Sequence, residues 1–357
     1  MTIRVVDVRS AAALAAIVCV LVGGTAWGQD CQVLTVGKPL PLTHATVVGY
    51  QPLIVAGDPN GQPPDSPALH VDPNVSTSLY AGVGSIENDL GTGMAYLGTG
   101  TLIDRRHVLT AAHLFDTNDD GRNDFDLSRT TFILNSSGNY SYLVGASAVA
   151  IHPNFTGFNN PSVNDDLAII TLSAAVPSSV PAYGLWRQEV LQGQTVTQVG
   201  YGRSGDGVSG FTIDPSWTVK RVGHNQMDAA EADDEGSGSA EVWYGDFDKP
   251  TGGLNFTGGL SLGNTVETTL GGGDSGGPSF VLYDNQLYLA GINTFSATFD
   301  GGPDAPLFDS GLGGILVYPY LGWIDSVVPE PATLAFLATG TAMVLVHRRR
   351  PRRLHVS

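Results

Sequence analysis

The chain has 357 residues, of which 42% are hydrophobic and 14% charged, with 46 glycines, 21 prolines and two cysteines. This apolar content excludes wholesale disorder, and the scarcity of cysteine excludes a small domain held together by disulfides. The formal net charge is −17. Such an acidic chain repels nucleic acid and anionic membranes, so we expect no nucleic-acid partner.

The first predicted element is a secretion signal over residues 1–28. Two arginines precede an apolar run over 11–22, and the small residues Ala26 and Gly28 have the spacing that a signal peptidase requires. A membrane anchor is disfavoured, because about a dozen apolar residues are too few to cross a bilayer core about 30 Å thick. Removal of the signal leaves Cys31 alone, so no internal disulfide is expected.

Residues 29–75 are interpreted as an N-terminal extension or prosegment, because they contain polar, proline-rich stretches such as 58–65. From 76 to 328 the chain is a succession of short apolar runs broken by turn residues. Runs this short and rich in Val, Ile, Thr and Tyr predict strands, and their spacing favours an antiparallel sandwich or barrel. The runs are 78–85, 100–103, 108–110, 131–134, 167–172, 196–201, 279–283 and 287–292.

Two further features complete this region. The acidic, Gly/Ser-rich stretch 228–239 predicts a long surface insertion. Residues 320–328 are the best candidate for a helix, and they end the domain just before the C-terminal tail.

The tail, residues 329–357, joins a Pro-Glu-Pro triplet to an apolar stretch over 332–346 and then to five arginines between 348 and 353. These residues predict a hydrophobic C-terminal helix in the membrane, with its cationic end in the cytoplasm. The pattern resembles the PEP-CTERM sorting tail of Gram-negative bacteria. That resemblance implies export to the cell envelope, outer surface or extracellular matrix, transient membrane retention and an exosortase-type partner.

Three separated segments carry a nucleophile, a base and a carboxylic acid. They are Leu109-Thr-Ala-Ala-His113, Asn164-Asp-Asp-Leu-Ala-Ile-Ile170 and Gly272-Gly-Asp-Ser-Gly-Gly-Pro278. A serine hydroxyl needs an adjacent base, and an imidazole accepts and returns a proton near neutral pH. His113 is therefore the candidate base and Ser275 the candidate nucleophile, while Asp165 or Asp166 is the acid that orients the imidazole.

The order His, Asp, Ser and the flanking residues resemble the chymotrypsin/trypsin-like serine peptidases over about residues 77–327. The resemblance implies an all-β fold of two packed six-stranded antiparallel β-barrels with a short C-terminal helix. In the family the acid directly precedes an apolar-Ala pair, here 167–168, which selects Asp166 over Asp165. The resemblance also implies an oxyanion hole formed by the backbone N–H groups of Gly273 and Ser275, with Asp274 setting the loop.

The family's substrate cleft corresponds to Thr269, Gly272, Thr294, Phe295 and Ser296. Thr269 stands six residues before the nucleophile, where members that cleave after Lys or Arg have Asp. A neutral pocket floor leaves a cationic side chain without a buried partner. We therefore expect a preference for small or medium apolar residues, with Phe295 and Ser296 at the cleft rim, although Glu267 nearby still allows a basic preference.

Two departures from the family pattern bear on stability and activation. The cysteines that usually flank the histidine and serine segments are absent. No basic residue precedes a convincing new N-terminus; Val47-Val48-Gly49 is only a weak match to an activation site. The partner of Asp274 is therefore left open.

A metal site is a separate hypothesis. Oxygen-bearing side chains alternate along one stretch, with Gly121 for a tight turn, and the set is Asp116, Asn118, Asp120 and Asp124. The spacing resembles Asp-rich calcium loops, although Leu127 replaces the bidentate Glu of a full EF-hand. The alternative is a solvated acidic turn. A bound Ca²⁺ would order the loop after His113, whereas the chemistry itself requires no cofactor.

The sequence therefore predicts an exported serine endopeptidase with its catalytic domain over residues 76–328. It would hydrolyse peptide bonds of protein or peptide substrates through an acyl-enzyme. Two other classes remain open at this point: a catalytically inactive trypsin-like module that binds at a surface, and a structural envelope or matrix protein.

Overall fold

The computed structural model describes residues 47–51, 54–159 and 162–328. Its first nine strands are β1 (Val47–Gln51), β2 (Val71–Asp72), β3 (Val83–Asp89), β4 (Ala95–Leu102), β5 (His107–Thr110), β6 (Thr130–Leu134), β7 (Tyr142–Ile151), β8 (Ala168–Leu172) and β9 (Gly184–Leu185). The next nine are β10 (Gln194–Gly200), β11 (Ser204–Asp206), β12 (Gly210–Ile213), β13 (Lys220–Met227), β14 (Ala229–Ala232), β15 (Ala240–Asp246), β16 (Pro278–Tyr283), β17 (Gln286–Phe299) and β18 (Gly311–Leu316). Helix α1 (Leu321–Val327) follows, and 3-10 turns lie at Ala112–Leu114, Leu127–Arg129 and Tyr318–Tyr320.

Six strands of the N-terminal half close into a barrel in the order β3-β4-β5-β8-β7-β6. The short apolar strands β5 and β8 form its most buried wall; Val108, Leu109 and Ile170 are fully buried. Their antiparallel ladder places Thr110 opposite Ala168. Because His113 follows β5 by three residues and Asp166 precedes β8 by two, this register brings the two candidate catalytic side chains to the same end of the barrel.

The C-terminal half forms a ten-stranded sheet with the path β14-β15-β18-β17-β16-β10-β13-β2, to which β1 and β9 add through β17. The predicted second six-stranded barrel is not confirmed, because no ladder within the described residues closes this sheet. Strands β13 and β15 approach each other where closure would occur. There the side-chain amide of Asn225 donates to the Asp246 carbonyl over 3.1 Å, which takes the place of backbone pairing.

The predicted surface insertion is partly wrong. Residues 229–232 form β14, whose ladder pairs Ala229 with Tyr244 and Ala230 with Trp243, and Ala229 and Ala230 are buried. Only the following acidic turn runs along the surface. The small alanine side chains fit against the aromatic residues of β15, which explains how a stretch flanked by acids joins the sheet.

The two ends of the described chain bear on two predictions, the C-terminal helix and the N-terminal extension. The predicted helix is found as α1, where Ile324 is buried. Residues 54–56 are buried and bridge to Thr269 and Asp206, so this part of the N-terminal extension belongs to the sheet's packing. The predicted signal, Cys31 and the sorting tail with its hydrophobic helix lie outside the described residues. Of the helices described, none has the length and apolar character needed to span a membrane.

Candidate functional site

His113 and Asp166 form the best-defined contact of the site. The ring nitrogen Nδ1 of His113 lies 2.7 Å from Oδ2 of Asp166, and the backbone N–H of His113 donates to Oδ1 over 2.8 Å. The Asp166 side chain is fully buried, whereas 13% of the His113 side chain is exposed. Phe158 covers the imidazole, with ring centroids 4.9 Å apart. The carboxylate therefore holds the histidine by both its main chain and its ring.

The neighbouring acid, Asp165, faces elsewhere. Its Oδ1 lies 2.8 Å from Nδ1 of His152, and its backbone N–H donates to the Tyr320 hydroxyl over 3.1 Å. Asp165 has a positive φ of 61°. This left-handed turn sends the two consecutive carboxylates to different histidines. Asp166 is thus the carboxylate that contacts His113, and Asp165 is the one that contacts His152.

The serine loop, residues 271–277, is held from the barrel side by Thr99 of β4. The Thr99 backbone N–H donates to the Ser275 carbonyl over 2.8 Å, and its hydroxyl donates to the Gly273 carbonyl over 2.8 Å. With these carbonyls turned toward the barrel, the N–H groups of Gly273 and Ser275 make no hydrogen bond within the described residues. Two unengaged amides in one tight loop are what an oxyanion hole requires.

The loop also lies directly against the segment that leads to His113. Gly276 has a φ of 81°, and a Cβ built there would stand 2.0 Å from the Thr110 hydroxyl and 2.9 Å from the Ala111 nitrogen. Only glycine fits so close an approach. The Ser275 side chain is buried, and its hydroxyl has no hydrogen-bond partner within the described residues. The hydroxyl and His113 thus come from adjoining segments, but the bond between them is not formed in this structure.

The Asp274 carboxylate accepts hydrogen bonds from three segments: its own loop, the residues after β10 and the N-terminal segment. Its Oδ1 accepts the Gly202 N–H over 2.7 Å, while Oδ2 accepts the N–H groups of Gly271, over 2.7 Å, and of Ile54. Burial raises the pKa of Asp274 well above its usual range. Sequence analysis left this partner open and did not identify Ile54. The signal available was the apolar stretch Ile54-Val-Ala-Gly57 inside an otherwise polar region.

Three of the residues assigned to the substrate cleft, Thr294, Phe295 and Ser296, lie on β17. Phe295 is not at the rim as predicted: it is fully buried, with its ring 5.3 Å from that of Tyr244. A side chain at this position faces the core because Phe295 lies opposite Gly313, whose missing side chain leaves room for the ring. Thr294 is buried and its hydroxyl donates to the Ile292 carbonyl over 3.3 Å. Ser296 is buried beneath β1, since Gln51 lies opposite it in the antiparallel β1–β17 ladder.

Thr269 is the residue that the sequence predicts at the pocket floor. Thr269 is fully buried, its backbone pairs with Val55, and its hydroxyl has no hydrogen-bond partner within the described residues. The carboxyl oxygens of Glu267 accept the N–H groups of Asp248, over 2.5 Å, and Leu262, over 2.6 Å. Burial, with the nearby Asp248 charge, raises the pKa of Glu267 to about 8. Near neutral pH this group is therefore mostly uncharged.

The predicted calcium loop is closed by its own hydrogen bonds. The carboxylate of Asp116 accepts the N–H groups of Asn118, Asp120 and Gly121 over 3.2, 3.2 and 2.7 Å. Asp124 accepts from Thr117 and from the Asn118 amide. The side-chain oxygens of Asp116 and Asp124 thus accept hydrogen bonds from residues of the same loop. Calcium binding by Asp116, Asn118, Asp120 and Asp124 remains a prediction.

Sequence analysis did not predict a second feature, a cluster of acidic side chains. Ligand atoms of Asp165, Asp234 and Glu235 lie within 4.8 Å of one another, as do those of Asp233, Glu235 and Glu241. The acidic turn after β14 reaches them because Ser162 donates to Asp234 and Asn154 donates to Glu235. Burial raises the pKa of Glu241 to about 7. The acidity of residues 228–239 was noticed, but its position beside Asp165 depends on tertiary packing.

Comparison with known proteins gives one family match. Residues 80–240 match the family model Trypsin. The matched region is less than half of the chain, and it contains His113 and Asp166 but ends before Ser275. The match supports the class of trypsin-like serine peptidases for this region. A search of curated proteins found no match.

Proposed function

We propose that the chain is a serine endopeptidase that hydrolyses peptide bonds in protein or peptide substrates. The observation that carries this proposal is the pair of bonds from the buried Asp166 carboxylate to the ring and backbone of His113. An orienting acid of this kind fixes the tautomer in which the far ring nitrogen can accept a proton. The adjoining loop with two unengaged amides supplies the second requirement of acyl transfer.

The reaction follows from these positions. Ser275 Oγ rotates toward His113, transfers its proton to Nε2 and attacks the substrate carbonyl carbon. The N–H groups of Gly273 and Ser275 stabilise the resulting oxyanion, and Asp166 stabilises the imidazolium. The imidazolium then gives its proton to the departing amine, which leaves an acyl-serine. Water, deprotonated by His113, attacks the ester and releases the acid and the free hydroxyl.

The neutral pocket floor favours apolar substrates. With Thr269 at the base and Glu267 engaged by backbone amides, a lysine or arginine side chain would enter a pocket without a free carboxylate. Desolvating such a cation without a partner is unfavourable. The proposed substrates therefore present a small or medium apolar residue before the scissile bond. Thr269, Gly272, Thr294 and Ser296 form the proposed subsite, and buried Phe295 supports it from beneath.

The proposed place of action is outside the cytoplasm. The signal pattern over 1–28 and the tail over 329–357 support export, transient membrane retention and handling by an exosortase-type partner. The peptidase would then act in the cell envelope, at the outer surface or in the extracellular matrix of a Gram-negative bacterium. We keep Ca²⁺ at the Asp116 loop as a part of this proposal that affects order in the site wall and not the chemistry.

A fluorophosphonate probe tests the proposed chemistry directly, because only an activated serine reacts with it. We expect purified chain from Gln29 to Val328 to react at Ser275, as mapped by mass spectrometry of the labelled peptide. Ser275→Ala should remove the label, whereas Ser279→Ala, a buried serine a few residues away, should keep it. A folded chain that never reacts would reject the peptidase in favour of the non-catalytic binding module.

We also propose that the N-terminal extension is a prosegment that occupies the cleft. Strand β1 lies antiparallel on β17, with Gly49 opposite Thr298, Tyr50 opposite Ala297 and Gln51 opposite Ser296. An extended peptide gains main-chain hydrogen bonds when it adds to such an edge. Because Ser296 belongs to the proposed subsite, a substrate strand and β1 compete for the same backbone groups.

Removal of β1 should therefore improve substrate binding. We expect a chain beginning at Pro52 to have a KM for an extended apolar peptide at least tenfold below that of the chain beginning at Gln29, with kcat changed less than twofold. A synthetic peptide of residues 46–51 should inhibit the shorter chain competitively, and a scrambled peptide should not. Equal KM values for the two chains would contradict the prosegment proposal.

A further inference from the structure

The part of the N-terminal extension that packs on the sheet contains a buried contact between Asp65 and His70. Nε2 of His70 lies 2.9 Å from Oδ2 and 3.0 Å from Oδ1 of Asp65. The Asp65 side chain is fully buried, and 8% of the His70 side chain is exposed. Neither residue takes part in the proposed acyl transfer, so their contact has a different role.

The contacts of the His70 ring indicate that both of its nitrogens carry a proton. Nδ1 lies 2.9 Å from the backbone carbonyl oxygen of Val222 in β13, a group that can only accept a hydrogen bond. Nε2 faces the carboxyl group of Asp65. A proton shared between these two groups resides on the imidazole, because its ordinary pKa is about 2.5 units above that of a carboxyl group. Both ring nitrogens therefore donate, and the ring is an imidazolium.

The groups around His70 agree with this protonation state. Burial by itself lowers the pKa of His70, but the hydrogen bond and charge of Asp65, with the Val222 carbonyl, outweigh burial and raise the pKa. Burial raises the pKa of Asp65, yet its bond to His70 and its backbone bonds leave that pKa below the usual range. From β13, the charge of Arg221 acts to lower the pKa of His70, while burial and the His70 charge lower the pKa of His224. The proton in this cluster therefore lies on His70, and His224 is neutral.

Asp65 connects His70 to the backbone that pairs with the predicted pocket floor. Its Oδ2 accepts the Gly57 N–H over 2.7 Å. Two residues earlier, the Val55 N–H donates to the Thr269 carbonyl over 2.6 Å, and the Thr269 N–H donates to the Val55 carbonyl over 3.2 Å. Val55 and Thr269 are both fully buried. The short segment 55–57 is thus held by Asp65 at one end and bonded to Thr269 at the other.

On the other side, His70 is anchored to β13. The Val222 N–H donates to the His70 carbonyl over 2.8 Å, so His70 binds both backbone groups of Val222. Two residues further along, Asp72 pairs with the buried Lys220 of β13 over 3.0 Å. Because β13 pairs with β10 from Arg221 to Met227, it is a fixed support for these contacts.

We propose that His70 is a positioning residue, whose imidazolium ties segment 55–57 through Asp65 to β13 and so keeps Thr269 in place at the floor of the substrate pocket. This inference rests on the proposed peptidase function. Loss of the His70 proton leaves the buried Asp65 charge without a counter-charge, which is strongly unfavourable. Because the pKa of His70 is raised in the folded chain, its stabilisation is complete below pH 6.5 and is lost as the pH rises through the raised value. The pocket floor is therefore held firmly near pH 6 and loosens at alkaline pH.

The kinetic test measures KM and kcat for an extended apolar peptide from pH 5.5 to 9 in His70→Gln and in the control His107→Gln. His107 also contacts an aspartate, Asp104, over 2.7 Å, but 43% of that aspartate side chain is exposed. We expect the KM of the unsubstituted chain to rise at least threefold between pH 6 and 9, with a midpoint above 6.5. His70→Gln should have this high KM at every pH, with kcat at pH 7 changed less than twofold, and His107→Gln should match the unsubstituted chain. Equal KM values for His70→Gln and the unsubstituted chain at pH 6 would overturn the inference.

Two further measurements do not depend on catalysis. NMR titration of isotope-labelled histidine rings should give His70 a pKa above the ordinary 6.5, and Asp65→Asn, which keeps an acceptor but removes the charge, should lower that pKa. Hydrogen exchange at the Val55 and Gly57 amides, corrected for the intrinsic rate at each pH, should be at least tenfold faster in His70→Gln than in the unsubstituted chain at pH 6, and equal at pH 9.

The titration of the unsubstituted chain keeps the inference testable even if His70→Gln folds poorly. A His70 pKa of 6.5 or below, no change of that pKa in Asp65→Asn, or equal exchange at pH 6 would overturn the inference. A folded chain that hydrolyses no peptide would reject the peptidase function, whereas the titration and the exchange rates would still decide whether charged His70 holds segment 55–57.

Discussion

Asp166→Asn is expected to lower kcat for a peptide substrate by about 10⁴-fold with little change in KM. The His113 backbone N–H, which donates to Oδ1, fixes the orientation of an asparagine at this position. Its amide nitrogen then takes the place of Oδ2 and presents a donor to His113 Nδ1. The imidazole must accept that hydrogen bond at Nδ1 and carry its own proton on Nε2, where it cannot take a proton from Ser275.

Asp165→Asn is the matched control for this experiment. It removes the neighbouring carboxylate and its contact with His152, and asparagine tolerates the positive φ at this position. We expect kcat to change less than twofold in this variant and the melting temperatures of both variants to stay within a few degrees of the unsubstituted chain. A loss below tenfold in folded Asp166→Asn, or an equal loss in Asp165→Asn, would contradict the assignment of Asp166.

Strands with apolar runs were predictable from the sequence, whereas polar and glycine-rich strands were not. Runs of Val, Ile and Leu predicted the barrel strands β5, β6 and β8, because burial on both sides requires uninterrupted apolar residues. Strand β13 was not predicted, since Lys220, Arg221, Asn225 and Gln226 make it polar. The partners of Lys220 and Asn225 are distant in the chain: Lys220 contacts Tyr80 and Asp72, and the Asn225 amide donates to the carbonyls of Asp246 and Thr268. Local sequence does not reveal such partners. Strand β18 was missed for a different reason: three of its six residues, Gly311, Gly313 and Gly314, have no side chain and break the apolar run.

In the candidate site, residues within local motifs were predictable, whereas contacts between distant segments were not. The spacing of motifs indicated His113, Asp166 and Ser275 because each lies in a short segment with specific neighbours. The partners of Asp274 were not predictable in this way. Ile54 is 220 positions away from it in the chain, and Gly202 is 72 positions away. Phe295 was placed at the rim by the family resemblance, whereas its direction depends on the β17–β18 register, which a bulge between Asn293 and Phe295 shifts.

The backbone conformation of Gly273 in the serine loop leads to the second prediction, a loss of activity in Gly273→Ala. Gly273 has a φ of 104°, and a Cβ built there would stand 2.6 Å from Leu97 Cδ2 and 3.0 Å from the Gly202 Cα. Alanine rarely adopts this backbone conformation, so Gly273→Ala should rotate the 272–273 peptide and turn the Gly273 N–H away from the oxyanion. Loss of one such donor costs about 10²- to 10³-fold in kcat. We expect this loss in peptide hydrolysis and in the rate of fluorophosphonate labelling at Ser275.

Gly138→Ala separates loss of the donor from general backbone strain. Gly138 has a nearly equal φ of 112°, but a Cβ built there would meet no atom within 4 Å. Both alanines should destabilise the fold by about 1–3 kcal/mol, which urea unfolding measures. Only Gly273→Ala should also lower the labelling rate of the folded protein. If Gly138→Ala loses activity in equal measure, global strain explains the effect, and if Gly273→Ala retains full activity, its N–H group does not bind the oxyanion.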